Sequence, residues 1–177
     1  VAGTGGAGAK VFDDITQALG STPTRGLVQS QLEDYLGGGK QTPIVKAALD
    51  NGVNPRCHYE DITRADYEGF ILPFAQELLK LSQQYKRPVK MRLCDTLGFG
   101  LPFPGVALPR SVPKLVNGLR KIGVPAEWLE WHGHNDLHKV EVNAAAAWLY
   151  GCCAANCAIF GMGERTGNPP LEALVIE

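Results

Sequence analysis

Residues 127–136 read Glu-Trp-Leu-Glu-Trp-His-Gly-His-Asn-Asp, a largely apolar stretch that ends in a cluster of polar side chains. This pattern predicts a strand over 127–132 with chemically active groups at its carboxyl end. Three other stretches, at 53–60, 89–95 and 155–160, have the same form, and helical patterns separate them. Alternating strands and helices favour an α/β fold, because neighbouring parallel strands need crossover connections. The pattern by itself fits either an open doubly wound sheet or part of a closed barrel.

The helices are marked by their start and stop residues. A helix is expected to start at Ser111 and Pro113 and to stop at Gly123. The stretch from Thr63 to Asp66 has the spacing of a capping box for a helix that runs to residue 86, and Pro73 is expected to kink or restart it. Further helices are predicted over 43–51, over 139–150 and from about residue 169.

Composition limits the possible functions. The chain has 177 residues, a formal net charge of -1 and 45% apolar residues, which argues against a non-specific nucleic-acid binder and predicts one hydrophobic core. The uncharged stretch 142–163 contains Asn and Gly, so we expect a buried helix and strand rather than a membrane span. Residues 1–42 are expected to be a flexible or non-matching segment, and 43–177 the catalytic region.

The five cysteines are an odd number, and no signal peptide opens the sequence, so we expect reduced thiols and a cytoplasmic protein. Cys152, Cys153 and Cys157 do not make the Cys-x-x-Cys spacing of zinc sites. They are interpreted as small core residues.

His132 and His134 are two residues apart on a predicted strand, so both imidazoles project to one face, where they could bind a divalent cation. The alternative is a pair of histidines bonded to backbone carbonyl groups. Asn135 and Asp136 could orient the rings, and the Gly-rich loop after the next strand could bring Asn168 close. These neighbours favour the metal hypothesis.

Side-chain alternation groups other polar residues. His58 and Glu60 share one face of their strand, and Arg92, Cys94 and Thr96 share one face of theirs. Arg92 could bind an anionic substrate, but a surface ion pair on the helix side is the favoured alternative. Glu130 shares the parity of the histidines, and either supports them or lies deeper in the sheet.

Four motifs together resemble the acyl-CoA-condensing and -cleaving metalloenzymes built on a TIM barrel, which include isopropylmalate synthase, homocitrate synthase and hydroxymethylglutaryl-CoA lyase. The motifs are Glu60-Asp-Ile-Thr-Arg64, Asp95-Thr-x-Gly98, His132-x-His-Asn-Asp136 and Gly161-x-Gly-Glu-Arg-x-Gly-Asn168. The sequence that flanks these motifs most resembles that of the Re-face citrate synthase branch. The resemblance implies the C-terminal half of a (β/α)8 barrel, strands five to eight, with outer helices.

The resemblance also implies an activity and a set of roles. The activity is condensation of acetyl-CoA with a 2-oxo acid, oxaloacetate to citrate in the matching branch. We also expect a homo-oligomer, and the charge and composition argue against nucleic-acid and membrane partners. Mn2+ or Mg2+ would be bound by His132, His134 and Asn168. Glu60, Thr96 and His58 would be catalytic, whereas Arg64, Asp95 and Arg92 would bind substrate.

Three alternatives stay open. One is an isopropylmalate- or homocitrate-type synthase, and another is a carbon-carbon lyase, although the loop 161–168 lacks the cysteine of that branch. The third is a catalytically incomplete half-barrel that dimerises, because the Arg-Asp-Gly motif, which supplies an anionic metal ligand in this family, does not occur in the sequence. A site without that ligand is expected to hold metal weakly.

Overall fold

The computed structural model describes residues 41–177. The predicted segment 1–42 lies outside the described residues, except that 41–42 open the first helix. Within 41–177, four strands form one parallel sheet in the order β1-β2-β3-β4. Their bounds are β1 (Arg56–Tyr59), β2 (Lys90–Asp95), β3 (Leu129–Gly133) and β4 (Ala154–Ala155). The predicted α/β fold with a parallel sheet is confirmed.

Helices connect the strands. They are α1 (Gln41–Asp50), α2 (Leu72–Tyr85), α3 (Val112–Lys121), α4 (Val140–Leu149) and α5 (Leu171–Ile176). The hydroxyl of Ser111 accepts from the backbone N–H of Lys114 and caps α3, which buries Leu115 and Leu119 completely. Gly123, with a φ of 100°, follows the end of this helix. The predicted start and stop of α3 are confirmed.

The described residues fall into two compact units. One holds residues 41–55 and Glu77–Val89, where Val45, Leu49 and Leu78 are buried. The other, Arg56–Gln76 with Lys90–Glu177, contains the whole sheet. Its core includes Trp131, Leu93 and Leu115, all fully buried. All the site residues treated below belong to this second unit.

The predicted capping box is wrong, because Asp66 caps the helical segment instead. Its carboxylate accepts from the N–H of Gly69 at 2.9 Å and starts a π-helical turn, Tyr67–Ile71, that leads into α2. Thr63 has a different partner, Asp95. Pro73 restarts the helix as predicted, since it lies in the first turn of α2, where its missing N–H costs nothing.

The predicted buried strand over 155–160 is also wrong. β4 pairs with β3 only at Ala154 and Ala155, because the chain then turns away and Ala158 pairs with Pro170. The three nearby thiols differ in exposure. Cys152 is a core residue as expected, Cys157 is half-buried, and Cys153 is exposed. In the part of the chain that the structure describes, no helix is long and apolar enough to cross a membrane.

Candidate active site

The two faces of the sheet differ in chemistry. The face toward the helices is apolar, and Met91, Leu93, Leu129 and Trp131 on it are fully buried. The opposite face, called here the polar face, carries His58, Arg92, Cys94, Glu130 and His132. Strand register places His58 beside Arg92, Arg92 beside Glu130, and Cys94 beside His132. The predicted sharing of faces is therefore observed.

An ion-pair cluster forms the lower layer of the polar face. Glu130 lies 2.6 Å from Nη2 of Arg92 and 3.2 Å from Nε of Arg56. The expected ion pair of Arg92 thus exists, but it lies on the polar face rather than on the helix side, because Arg92 shares the parity of Cys94. Glu130 lies one layer below His132 and pairs with the two arginines.

Glu60 and Thr96 meet one layer above, at the carboxyl ends of β1 and β2. The Thr96 hydroxyl donates to Oε2 of Glu60 over 3.1 Å and accepts from the backbone N–H of Asp61 at 2.8 Å. The Asp61 N–H therefore fixes the direction in which the hydroxyl proton points. Asp61 adopts a positive φ of 57°, a left-handed conformation that aspartate tolerates better than most residues.

His58 lies beside this pair, with its Nδ1 3.7 Å from Oε1 of Glu60. Burial and the positive charge of Arg92 lower the pKa of His58, and the charge of Glu60 only partly opposes them. His58 is thus mainly neutral at pH 7 and can accept a proton. The thiol of Cys94 lies close to both side chains.

His132 and His134 form a perpendicular pair at the end of β3. Their ring centroids are 5.0 Å apart and the ring planes are inclined by 87°. The Nδ1 atoms of both rings are buried and find no hydrogen-bond partner in the described part of the chain. Burial, followed by the charge of His134, lowers the pKa of His132, so this ring presents a lone pair at neutral pH. Two unpaired imidazoles side by side fit a divalent cation.

The Gly-rich loop after β4 brings Asn168 to this pair. Its Nδ2 donates to the carbonyl oxygen of Gly133, the residue between the two histidines, at 2.8 Å. A Cβ on Gly163 would lie 2.0 Å from Oδ1 of Asn168, so only glycine allows this close approach. The residues expected to bind metal are thus assembled at one strand end, and their donor set of two imidazoles and one amide fits the cation.

Asp95 lies apart from the polar face. Its Oδ1 accepts from the Thr63 hydroxyl at 2.7 Å and its Oδ2 accepts from the N–H of Gly100 at 3.0 Å. Burial raises its pKa, although these hydrogen bonds act in the opposite direction. Asp95 therefore ties the loops that follow β1 and β2 to each other.

Arg64 is held by a bidentate pair with Asp61, through Nε at 2.9 Å and through Nη2. Its guanidinium also lies 5.6 Å from the ring centroid of Phe99. The side chain is 52% exposed, so one face of the guanidinium remains open to a ligand.

Sequence reasoning missed two groups. Asn156 follows β4 level with His132, and its side-chain amide interacts with that imidazole, which opposes the lowering of the His132 pKa by burial. Asn156 lies two residues after Ala154, so the alternation of side chains along a strand could have identified it as a residue of the same face. Arg165 donates to the carbonyl oxygen of Thr96 and pairs with Asp136 at 3.4 Å, which anchors the Gly-rich loop across the strand ends. No local pattern predicts that long-range contact.

Comparison with known proteins places this geometry in a family. The HMGL-like family model matches residues 39–177. The chain is 58% identical over 147 residues to a citrate (Re)-synthase of Syntrophus aciditrophicus, covering 82% of this chain and 22% of that protein. It is 54% identical to the citrate (Re)-synthase of Clostridium kluyveri, covering 76% of this chain and 30% of that one. The chain thus spans less than a third of the length of these relatives.

The fold also resembles that of a solved structure. The HMG-CoA lyase of Brucella melitensis superposes with a TM-score of 0.60 at 19% identity, over 81% of this chain and 50% of that one. This likeness covers half of a TIM barrel, and it agrees with the expected partial barrel.

Proposed function

Because the chain belongs to the HMGL-like family, we propose that its protein catalyses a metal-dependent Claisen condensation of acetyl-CoA with a 2-oxo acid, oxaloacetate, to give citrate. The observation that carries the proposal is that the Glu60–Thr96 pair and the His132–His134 pair occupy the same end of one parallel sheet. Catalytic groups of α/β barrels collect at this end. The identity to two proteins named citrate (Re)-synthase supports the choice of reaction.

The proposed metal ligands are His132, His134 and Asn168, for Mn2+ or Mg2+. When bound, the cation supplies Lewis acidity that polarises the carbonyl of the 2-oxo acid. The chain contributes the alignment, because Asn168 fixes the peptide between the two histidines. Without a carboxylate among these three ligands, binding through them alone is expected to be weak.

We assign the proton-handling role to the Glu60–Thr96 pair. Its hydrogen bond and the Asp61 N–H hold the Thr96 oxygen in one orientation, so Thr96 can contact the 2-oxo acid with a defined geometry. When Thr96 gives up its hydroxyl proton, Glu60 can supply a replacement from its Oε2 to the Thr96 oxygen. Proton transfer by a positioned side chain typically contributes about 10²- to 10⁴-fold in rate.

The base that removes a methyl proton from acetyl-CoA is assigned to His58 or Glu60. The lowered pKa of His58 keeps its imidazole neutral and able to accept that proton. Removal leaves an enolate, whose carbon attacks the carbonyl carbon of the 2-oxo acid as the C=O π pair moves to the oxygen. The resulting alkoxide takes the Thr96 proton, and water then cleaves the thioester to release CoA and the new carboxylate.

We assign substrate contacts to Arg64 and Arg92. The exposed guanidinium of Arg64 offers a carboxylate a partner near Thr96, whereas Arg92 sets a positive potential below His58. Asp95, whose two oxygens are bonded to Thr63 and Gly100, is proposed to support the substrate site by positioning these loops.

Self-association and a cytoplasmic location are further parts of the proposal. Leu149, Val175 and Ile176 expose more than 70% of their surface on α4 and α5, which supports a contact with a second copy of the protein. The odd number of cysteines, five, supports a reducing compartment.

The test is an assay of CoA release by the intact protein with acetyl-CoA, Mn2+ and one 2-oxo acid at a time. Oxaloacetate is expected to be used in preference to 2-oxoglutarate or a branched-chain 2-oxo acid, and Glu60→Gln to lower kcat by about 10²-fold or more. Glu127→Gln is the matched control, since Glu127 is exposed at the opposite end of β3. Absence of CoA release with every 2-oxo acid would overturn the proposal.

A further inference from the structure

Three donors of different chemistry meet on the polar face: the imidazole of His58, the carboxylate of Glu60 and the thiol of Cys94. One ligand atom from each lies within 4.8 Å of the others. Two of these atoms, Nδ1 of His58 and Oε1 of Glu60, are already 3.7 Å apart. Among residues 41–177 this is the one group of three His, Cys, Asp or Glu side chains so arranged.

The spacing is close to that of a tetrahedral zinc site. Bonds of about 2.0–2.3 Å from Zn2+ to nitrogen, oxygen and sulfur place neighbouring ligand atoms roughly 3.3–3.8 Å apart. A contraction of about 1 Å, which side-chain rotation supplies, is therefore enough. We propose that His58, Glu60 and Cys94 form a second cation site that selects a thiophilic ion such as Zn2+, with water as the fourth ligand.

The donor set distinguishes this site from the histidine pair. His132, His134 and Asn168 offer imidazole nitrogen and amide oxygen but no sulfur, whereas the second site adds a thiolate, which selects soft ions such as Zn2+. Cys94 and His132 are register partners on adjacent strands, so the two sites are neighbours on the polar face. Because Zn2+ also binds imidazole, only a signal that depends on the Cys94 thiolate reports on the second site.

The site is open from one side. His58 and Glu60 are 41% and 63% exposed, and Cys94 is fully buried behind them. A cation arriving from solvent meets the imidazole and the carboxylate first and the thiol last. Burial and the charge of Glu60 keep Cys94 protonated in the free chain. Its proton leaves to solvent as the zinc–sulfur bond forms.

Zinc at this site would act on the reaction, a consequence that rests on the proposed function. Oε2 of Glu60 accepts the hydrogen bond of Thr96. A cation that draws the carboxylate toward Cys94 withdraws that acceptor and blocks the imidazole of His58. We therefore expect micromolar-to-millimolar Zn2+ to inhibit the condensation even when Mg2+ or Mn2+ is in excess.

The binding test uses Co2+, whose thiolate complexes absorb strongly by charge transfer, added to the intact protein in excess Mg2+. The wild-type protein is expected to develop a thiolate band that Zn2+ abolishes by displacement. Cys94→Ser should remove the band, whereas the matched control Cys153→Ser, at an exposed thiol elsewhere, should keep it. His58→Gln, at an exposed position that does not affect packing, should weaken Co2+ binding about tenfold or more.

Two outcomes overturn the site: a thiolate band that survives Cys94→Ser, or Co2+ affinity that His58→Gln leaves unchanged. Zinc inhibition provides the separate functional readout, and it should be lost in Cys94→Ser while condensation without zinc continues. A protein that shows the Cys94-dependent band but no condensation refutes the proposed function and leaves the site intact. Condensation whose zinc sensitivity does not depend on Cys94 refutes the site alone.

Discussion

The Nδ2 atom of Asn168 donates to the carbonyl oxygen of Gly133 at 2.8 Å, and Gly133 is the residue between His132 and His134. A loop residue thus holds the peptide that orients both imidazoles. Asn168→Ala removes the donor and the amide oxygen together, so affinity for Mn2+ should fall by about 10- to 100-fold. Isothermal titration of the variant with Mn2+ measures this change. An affinity equal to that of the wild type would show that the amide neither binds nor aligns the cation.

The hydrogen bond between Thr63 and Asp95, which connects the loops after β1 and β2, can be tested by substitution. Both are buried, and Thr63→Val keeps the shape while leaving Oδ1 of Asp95 without its donor. We expect a loss of about 1–3 kcal/mol in the free energy of unfolding. Thr63→Ser, which retains the hydroxyl, is the matched control in the same urea titration. Equal losses for the two variants would assign the effect to packing instead.

Gly100 and Gly105 lie in one loop but in different surroundings. A Cβ at Gly100 would lie 2.7 Å from Oδ2 of Asp95 and 3.0 Å from Nδ2 of Asn143, whereas at Gly105 it would meet nothing within 4 Å. Gly100→Ala should therefore destabilise the chain by about 1–3 kcal/mol. Gly105→Ala should leave the unfolding midpoint nearly unchanged. A reversed order would refute the described position of the Asp95 carboxylate.

The titration of His58 gives a pH-dependent prediction. Burial, Arg92 and Arg56 favour the neutral ring, while Glu60 and Glu130 favour the charged ring, and the balance lowers the pKa below 6.5. Proton NMR of the ring in the cation-free protein should give a midpoint below 6.5, and Glu60→Gln should lower it further. An unchanged midpoint in the variant would exclude a direct interaction with Glu60.

The same shift links His58 to stability. The unfolded chain protonates this ring near pH 6.5, but the folded chain does so only at lower pH. The contribution of His58 to stability is therefore present above pH 6.5 and is lost as the pH falls from there toward the folded pKa. Urea titrations at a series of pH values should show a smaller decrease in stability over this range for His58→Gln.

Alternation along strands explains why much of the site could be predicted. His58, Arg92 and Cys94 occupy the polar face because side chains two residues apart point the same way, and this rule needs no tertiary information. The parallel sheet follows similarly from the order of elements.

Other features could not be predicted because they depend on contacts between distant segments. Asp95 belongs to the same motif as Thr96, yet its carboxylate accepts a hydrogen bond from Thr63, 32 residues earlier. β4 has only two residues because Ala158 finds a backbone partner at Pro170. Neither partner is visible in the local pattern of hydrophobic residues, which describes one segment at a time.

The lower layer of the polar face has a consequence for chimeric proteins. It brings two guanidinium groups, from Arg56 and Arg92, to a single carboxylate, Glu130. The layer carries one surplus positive charge, and an apolar cover would bury it at a cost of several kcal/mol. A foreign half-barrel joined to this one by recombination would therefore need an acidic residue, or space for water, at that level. Charge count, rather than hydrophobic shape, decides which halves are compatible.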